Sequence, residues 1–186
     1  MKKLIFIIIL LLPMKLLADN YSKENIFKLI LDGKFEDKII NSKLPKCSAA
    51  LLDNERKNCW AENQNEQGRL TMSEYGKIPG KRHGLGVTKT KSVYMQGVLE
   101  NDKYIYGVLK NFDKKTIFQG SFNQKGNFDG KGLFSFFNEN GEIYLEYHGN
   151  WVDHLLEGPV KICTIDTSSK KETCKKVNAK GGKIVK

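Results

Sequence analysis

The chain is 186 residues long with a formal net charge of +10. Its lysines are spread over nearly every segment instead of forming one stripe, and no nucleic-acid-reading motif accompanies them. Nucleic acid is therefore set aside as a partner, which leaves a well-solvated basic surface or affinity for an anionic lipid or glycan surface.

Residues 1–18 read MKKLIFIIILLLPMKLLA. Lys2 and Lys3 precede an apolar run from Leu4 to Leu12, then Pro13, then a small residue at Ala18. This is the pattern of a secretory signal peptide. The run falls short of the ~20 residues that a membrane-spanning helix needs. Export with cleavage after Ala18, into the periplasm or beyond, is the expectation. Loss of Lys2, Lys3 and Lys15 leaves the mature chain basic.

Residues 19–67 form an N-terminal segment. Ile26, Phe27, Ile30 and Leu31 fall at helical spacing before Gly33, which predicts a short amphipathic helix. The expected role is to cover the first open edge of a sheet. A loop-rich stretch follows from Pro45 and holds Cys47 and Cys59. With Cys163 and Cys174 they make an even number of cysteines in an exported chain, which favours disulfides over metal ligands or nucleophiles. Three pairings are possible. The two local ones, Cys47 with Cys59 and Cys163 with Cys174, are the simplest, and each would close a loop worth about 3 kcal/mol of chain entropy.

From residue 68 to 162 the texture changes to short runs of alternating apolar and polar residues, such as SVYMQGVLE, KYIYGVLK, TIFQGSFN, KGLFSFF and IYLEYHGNW. Turn signals such as NDK, NFDKK, NQKGNFDG and NENGE separate them. The reading is all-β: one elongated antiparallel sheet of consecutive β-hairpins. Gly84, Gly107 and Gly130 recur at an interval of 23 residues, as do Gly97 and Gly120. Such a period marks a repeat architecture, whose units survive by stacking on their neighbours. Gly97, Gly120 and Gly149 each lie two positions after an aromatic or Met and two before Leu99, Phe122 or Trp151. On a strand these share a face, so each glycine sits between two bulky side chains.

This arrangement resembles the MORN repeat (membrane occupation and recognition nexus), with its Tyr-x-Gly-x-Trp/Phe, short polar turn and Gly-x-Gly. FQGSFNQKGNFDGKG carries the pattern through Phe118, Gly120, Phe122, Gly130 and Gly132. YHGNWVDHLLEG carries it through Tyr147, Gly149, Trp151 and Gly158, and HGLG supplies Gly84 and Gly86. MQGVLENDKYIYGVL is a degenerate copy with Met95 and Leu109 in place of Tyr and Gly. The last interval, Gly130 to Gly158, is 28 residues, and NENGEIYLEYHGNWVDHLLEGPVKI looks like the antitoxin-type variant of the repeat. Upstream, LPKCSAALLDNERKNCWAENQNEQG is similar to the segment that precedes such repeats in exported bacterial proteins. The resemblance covers residues 45 to 162. It implies a non-enzymatic module that binds a protein partner or serves as a scaffold of the cell envelope. The expected interaction face is an exposed aromatic row of Phe118, Phe122, Tyr147 and Trp151.

Chemistry is sparse. No Gly-x-Ser-x-Gly elbow occurs, and GKIPGKRHGLG lacks the Gly-Lys-Ser/Thr ending of a phosphate loop. His148, His154, Asp153 and Glu157 fall partly in a repeat turn, so no metal site, catalytic residue or cofactor is expected. Lys77, Lys81 and Arg82 form the densest basic loop of the repeats and the candidate contact for an anion. Residues 163–186 read as a disulfide-stapled, lysine-rich hairpin that caps the stack. Mass spectrometry of the exported protein is expected to find Asp19 at the mature N-terminus; retention of Met1 would refute the leader assignment.

Overall fold

In the structure, a computed structural model, residues 22–185 are described; the leader and its expected cleavage site after Ala18 lie outside them. Eleven strands form one antiparallel sheet in strict chain order. They are β1 (Cys59–Gln64), β2 (Leu70–Tyr75), β3 (Arg82–Lys89), β4 (Val93–Glu100), β5 (Lys103–Asn111), β6 (Thr116–Phe122), β7 (Phe128–Phe137), β8 (Ile143–Val152), β9 (Leu155–Ile165), β10 (Glu172–Lys180) and β11 (Lys183–Val185). The sheet is thus longer than the repeat segment read from sequence. It starts inside the N-terminal segment at β1 and takes in the whole C-terminal hairpin. Both local disulfides are present, Cys47–Cys59 with Cα atoms 5.0 Å apart and Cys163–Cys174 at 4.1 Å.

The turns follow from their residues. Asn101 and Asp102 (φ 49° and 71°), and Asp153 and His154 (φ 48° and 72°), make two-residue hairpin turns in the left-handed conformation that Asn, Asp and His adopt more often than other non-glycine residues. In two longer turns an asparagine stands at the entrance and a glycine near the exit. Asn123 Oδ1 accepts from the N–H groups of Lys125 and Asn127, and Asn138 Oδ1 from those of Asn140 and Glu142.

The register brings the glycines together. Gly86 pairs with Gly97, Gly97 with Gly107, Gly107 with Gly120, Gly120 with Gly132 and Gly132 with Gly149, so one unbroken glycine row crosses β3 to β8. The two 23-residue series are therefore not two separate rows. Gly107 lies in the row, whereas Gly84 and Gly130 stand beside it, opposite Leu99 and Trp151. A Cβ on Gly97 would run into the Tyr106 carbonyl oxygen and lie 2.8 Å from the Gly107 Cα. Gly84 has a different reason. At φ 107° it leaves space for the buried Glu74 carboxylate, whose Oε2 accepts the Leu85 N–H at 2.8 Å.

Because side chains alternate across a strand, the sheet has two distinct faces. One carries the glycine row with Met95, Phe118, Phe122, Trp151, Leu156, Val160, Ile162 and Ala179, a continuous apolar cluster. The other carries Met72, Leu85, Val87 and Val98, which pack with Ile26, Phe35 and Ile39 from two short helices. These are α1 (Lys23–Leu31), which lies on β5, and α2 (Phe35–Ile40), which lies on β2 and β3.

The helices differ from the sequence expectation in three ways. Among the described residues there are two α-helices. They cover a face instead of the first edge, because Ile26, Phe35 and Ile39 are fully buried only against the β2–β5 side chains. Leu31 also falls outside the apolar stripe and is 76% exposed. The start of the β1 edge, at Trp60, is covered by the chain before it. Lys46 makes a parallel bridge to Trp60, Cys47 N–H donates to the Trp60 carbonyl and Trp60 N–H to that of Pro45.

The row predicts a graded effect of adding one methyl group. Gly97→Ala forces two backbones apart and is expected to cost about 2–3 kcal/mol by urea unfolding. Gly126→Ala, at φ 84° with nothing within 4 Å of its added Cβ, should cost about 1 kcal/mol through conformation alone. Equal losses would refute a packing role for the row.

Candidate functional site

On the glycine face the ring of Phe118 lies over the row. A Cβ on Gly120 would be 2.6 Å from Phe118 Cζ, and one on Gly132 2.7 Å from its Cε2. Phe128 stacks on the other side of that ring, with centroids 3.8 Å apart and planes within 9°. Phe122 and Trp151 meet Phe118 edge to face at 5.4 and 5.8 Å. The rings make their own second layer on a single sheet. This corrects the expectation of an exposed aromatic row: Phe118 is 1% exposed, Phe122 8% and Trp151 8%. Of the four residues, Tyr147 alone keeps a substantial solvent-facing part, beside Phe134, Phe136 and Leu145, all half-buried. Phe136 and Tyr147 contact edge to face at 6.1 Å.

The basic loop is also different from its sequence reading. Lys81 Nζ lies 3.0 Å from Asp102 Oδ2, and Arg82 Nε lies 3.3 Å from Oδ1. Arg82 further donates its backbone N–H to Asp102 Oδ1 and a guanidinium N–H to the Asp102 carbonyl. Two of the three candidate anion contacts are thereby engaged with the β4–β5 turn. Lys77 stands exposed in the β2–β3 loop. Burial opposes ionisation of Asp102, but the Arg82 backbone N–H and the Lys81 and Arg82 charges outweigh it and hold the carboxyl below the usual range.

Next to this pair an open depression of about 350 Å³ is lined by Arg69, Arg82, Thr88, Met95, Tyr104 and Leu109, among others. Tyr104 OH and Thr88 Oγ1 are 3.1 Å apart. Burial pushes the Tyr104 phenol up to about 12, against the opposing pull of Thr88, Arg82 and Arg69. Its floor is apolar, and it brings together no nucleophile with a base.

The remaining titratable residues serve the turns. His154 Nδ1 accepts the Phe128 N–H at 3.1 Å, which ties the β8–β9 turn to β7. Asp153 accepts from Asn123 and Asn127 at 2.5 and 3.2 Å, and Glu157 from the Gly181 N–H at 2.6 Å. His148 pairs with Glu146 at 3.0 Å on the opposite face, apart from this group. Among the described residues the one cluster of metal-ligand type is Cys163, Glu172 and Cys174, whose two sulfurs are bonded to each other. On the helix side Tyr94 OH donates to Glu36, a contact that fastens α2 to β4. Sequence reading passed over it, although Phe35 and Ile39, spaced four apart, already marked a second helix.

No family model matches the chain, and no curated protein matches it. Among solved structures, a mutant of S. aureus TarM in complex with Fondaparinux, alpha-GlcNAc-glycerol and UDP is 19% identical, over 83% of this chain and 32% of that one, with a TM-score of 0.32. The chain thus spans about a third of that protein, and a likeness at this TM-score establishes neither a shared fold nor a shared activity. Among the described residues no helix is long and apolar enough to cross a membrane.

The Asp102 pairing has a pH signature. A carboxyl with a lowered folded pKa adds stability above its unfolded value of about 4, and loses that contribution as pH falls through the folded value. Asp102→Asn is therefore expected to lower Tm at pH 6 and to flatten the acid limb of Tm between pH 6 and 2. An unchanged limb would show that the turn does not depend on the charge.

Proposed function

We propose that this protein is an exported, non-enzymatic MORN-type repeat module that binds a protein partner, as a docking or scaffolding element of the cell envelope. The observation that carries this reading is the open glycine face. Among the described residues no element covers it, while Phe134, Phe136, Leu145 and Tyr147 leave a partly exposed apolar strip across β7 and β8. A contiguous apolar strip on a single-layer sheet is a surface suited to a second protein, and aromatic rings are the side chains that anchor such contacts best. Two disulfides fit an oxidising compartment, in line with the leader-like residues 1–18. The aromatic-Gly-aromatic spacing that resembles MORN repeats is the same spacing that builds the row.

The alternative, contact with anionic lipid or glycan through the Lys77, Lys81 and Arg82 loop, loses support from the capture of Lys81 and Arg82 by Asp102. A photo-crosslinking side chain placed at Tyr147 is expected to give an adduct with one envelope protein in cells. The same side chain at Lys131, exposed on the opposite face, should give none. Identical adducts at both positions, or none at either, would overturn the glycine-face reading.

A further inference from the structure

The two ends of the sheet are finished differently. At the β1 end the Pro45–Cys47 segment bonds to Trp60 and the Cys47–Cys59 disulfide locks it there. At the other end β11 pairs only with Asn178, Ala179 and Lys180 of β10. Glu172 to Val177 have β9 on one side and, among the described residues, no strand on the other. Among the described residues the C-terminal hairpin thus leaves open part of the edge it was expected to hide. That edge is rigid, because Cys174 is bonded straight across to Cys163.

The edge is also strongly basic. Lys171, Lys175, Lys176, Lys180 and Lys183 are exposed, and none forms an ion pair among the described residues. The nearby Glu172 is taken by Lys161 at 3.5 Å, and Glu142 by Lys170 at 2.5 Å. Register places Lys175 opposite Ile162, on the glycine face, and Lys176 opposite Lys161, on the other. Positive charge therefore flanks the free backbone on both faces. A second copy of this chain would bring lysine against lysine, and such edge lysines oppose that pairing. A flat anionic membrane would engage charges on one side of the strand better than charges on both.

We propose that the free β10 edge, Glu172 to Val177, accepts an extended acidic segment of a partner protein as an added strand. Backbone hydrogen bonds would supply the pairing, and carboxylates on both faces of the incoming strand would meet Lys175 and Lys176. This surface is separate from the glycine face, and the proposal stands or falls independently of it.

The test uses the full mature chain and a blocked peptide, Thr-Val-Glu-Glu-Val-Thr. Three probes accompany it: its Lys-Lys analogue, the acidic peptide N-methylated at alternate amides, and phosphatidylglycerol vesicles. The acidic peptide is expected to slow amide exchange at residues 172–177 and to bind at least tenfold more tightly than the other two peptides. Lys175→Glu with Lys176→Glu should abolish that preference while amide protection in β9 is retained; Lys175→Gln with Lys176→Gln, which removes charge without reversing it, should weaken binding at least threefold. Equal binding of the N-methylated peptide would show attraction without strand addition and overturn the proposal. So would vesicle binding that falls with Lys175→Glu while the acidic peptide fails to bind.

Discussion

Across β3 to β8, six strands meet at a line where no side chain stands between them. Everything on that face is arranged around the absence. Phe118 can lie flat on the backbone of Gly120 and Gly132 because neither has a Cβ, and once it lies flat Phe128 can stack on it. Phe122 and Trp151 then close the sides with their edges, the orientation that the charge distribution of an aromatic ring favours. A single sheet ordinarily needs a second layer to bury its apolar face. Here the second layer is made of rings rising from the same strands, and the glycine row is the space into which the first of them sinks.

The same constraint divides the molecule into two regions of different construction. Where the row passes Gly86, Gly97 and Gly107, the opposite face is roofed by α1 and α2, so β2 to β5 are packed on the helix side. From β6 onward no helix among the described residues roofs that face, and the ring cluster carries the burial on the glycine side. Turns tie neighbouring hairpins together: His154 N–H donates to the Phe128 carbonyl, Asp102 N–H to that of Arg82 and Gly182 N–H to that of Leu156. The hairpins are thus joined at their tips as well as along their strands, which makes the sheet a stiff platform for whatever it displays.

Much of this architecture could be read from the chain. Glycines between bulky residues in short alternating runs specified hairpins, and Asn101–Asp102 and Asp153–His154 specified their turns, because local sequence alone decides those conformations. The exposure of the aromatics could not be read. Phe128 sits in a stretch with the composition of a turn, and its place in β7 above Phe118 depends on the register of two strands. The fate of Lys81 and Arg82 was hidden for a similar reason: Asp102 belongs to another hairpin, and only the pairing of β3 with β4 brings it alongside. The helices covered a face instead of an edge because apolar spacing gives the stripe of a helix and not its address. Which β10 residues β11 pairs with is set by its register on Asn178 to Lys180, which composition does not fix.

The strict chain order of the strands bears on how this molecule reaches its folded state. Every strand pairs with the one made just before it, so each hairpin closes a short loop and the mean sequence distance between partners stays low, the topology associated with rapid folding. A chain delivered end first can add one hairpin at a time without waiting for its remainder. The exception is α1, whose place on β5, fastened by Lys23 to Ser121 of β6, exists only after six strands are in position. Docking of α1 therefore requires more of the sheet than docking of α2, which rests on β2 and β3, and a chain without either helix would present Leu85, Val87 and Val98 unroofed.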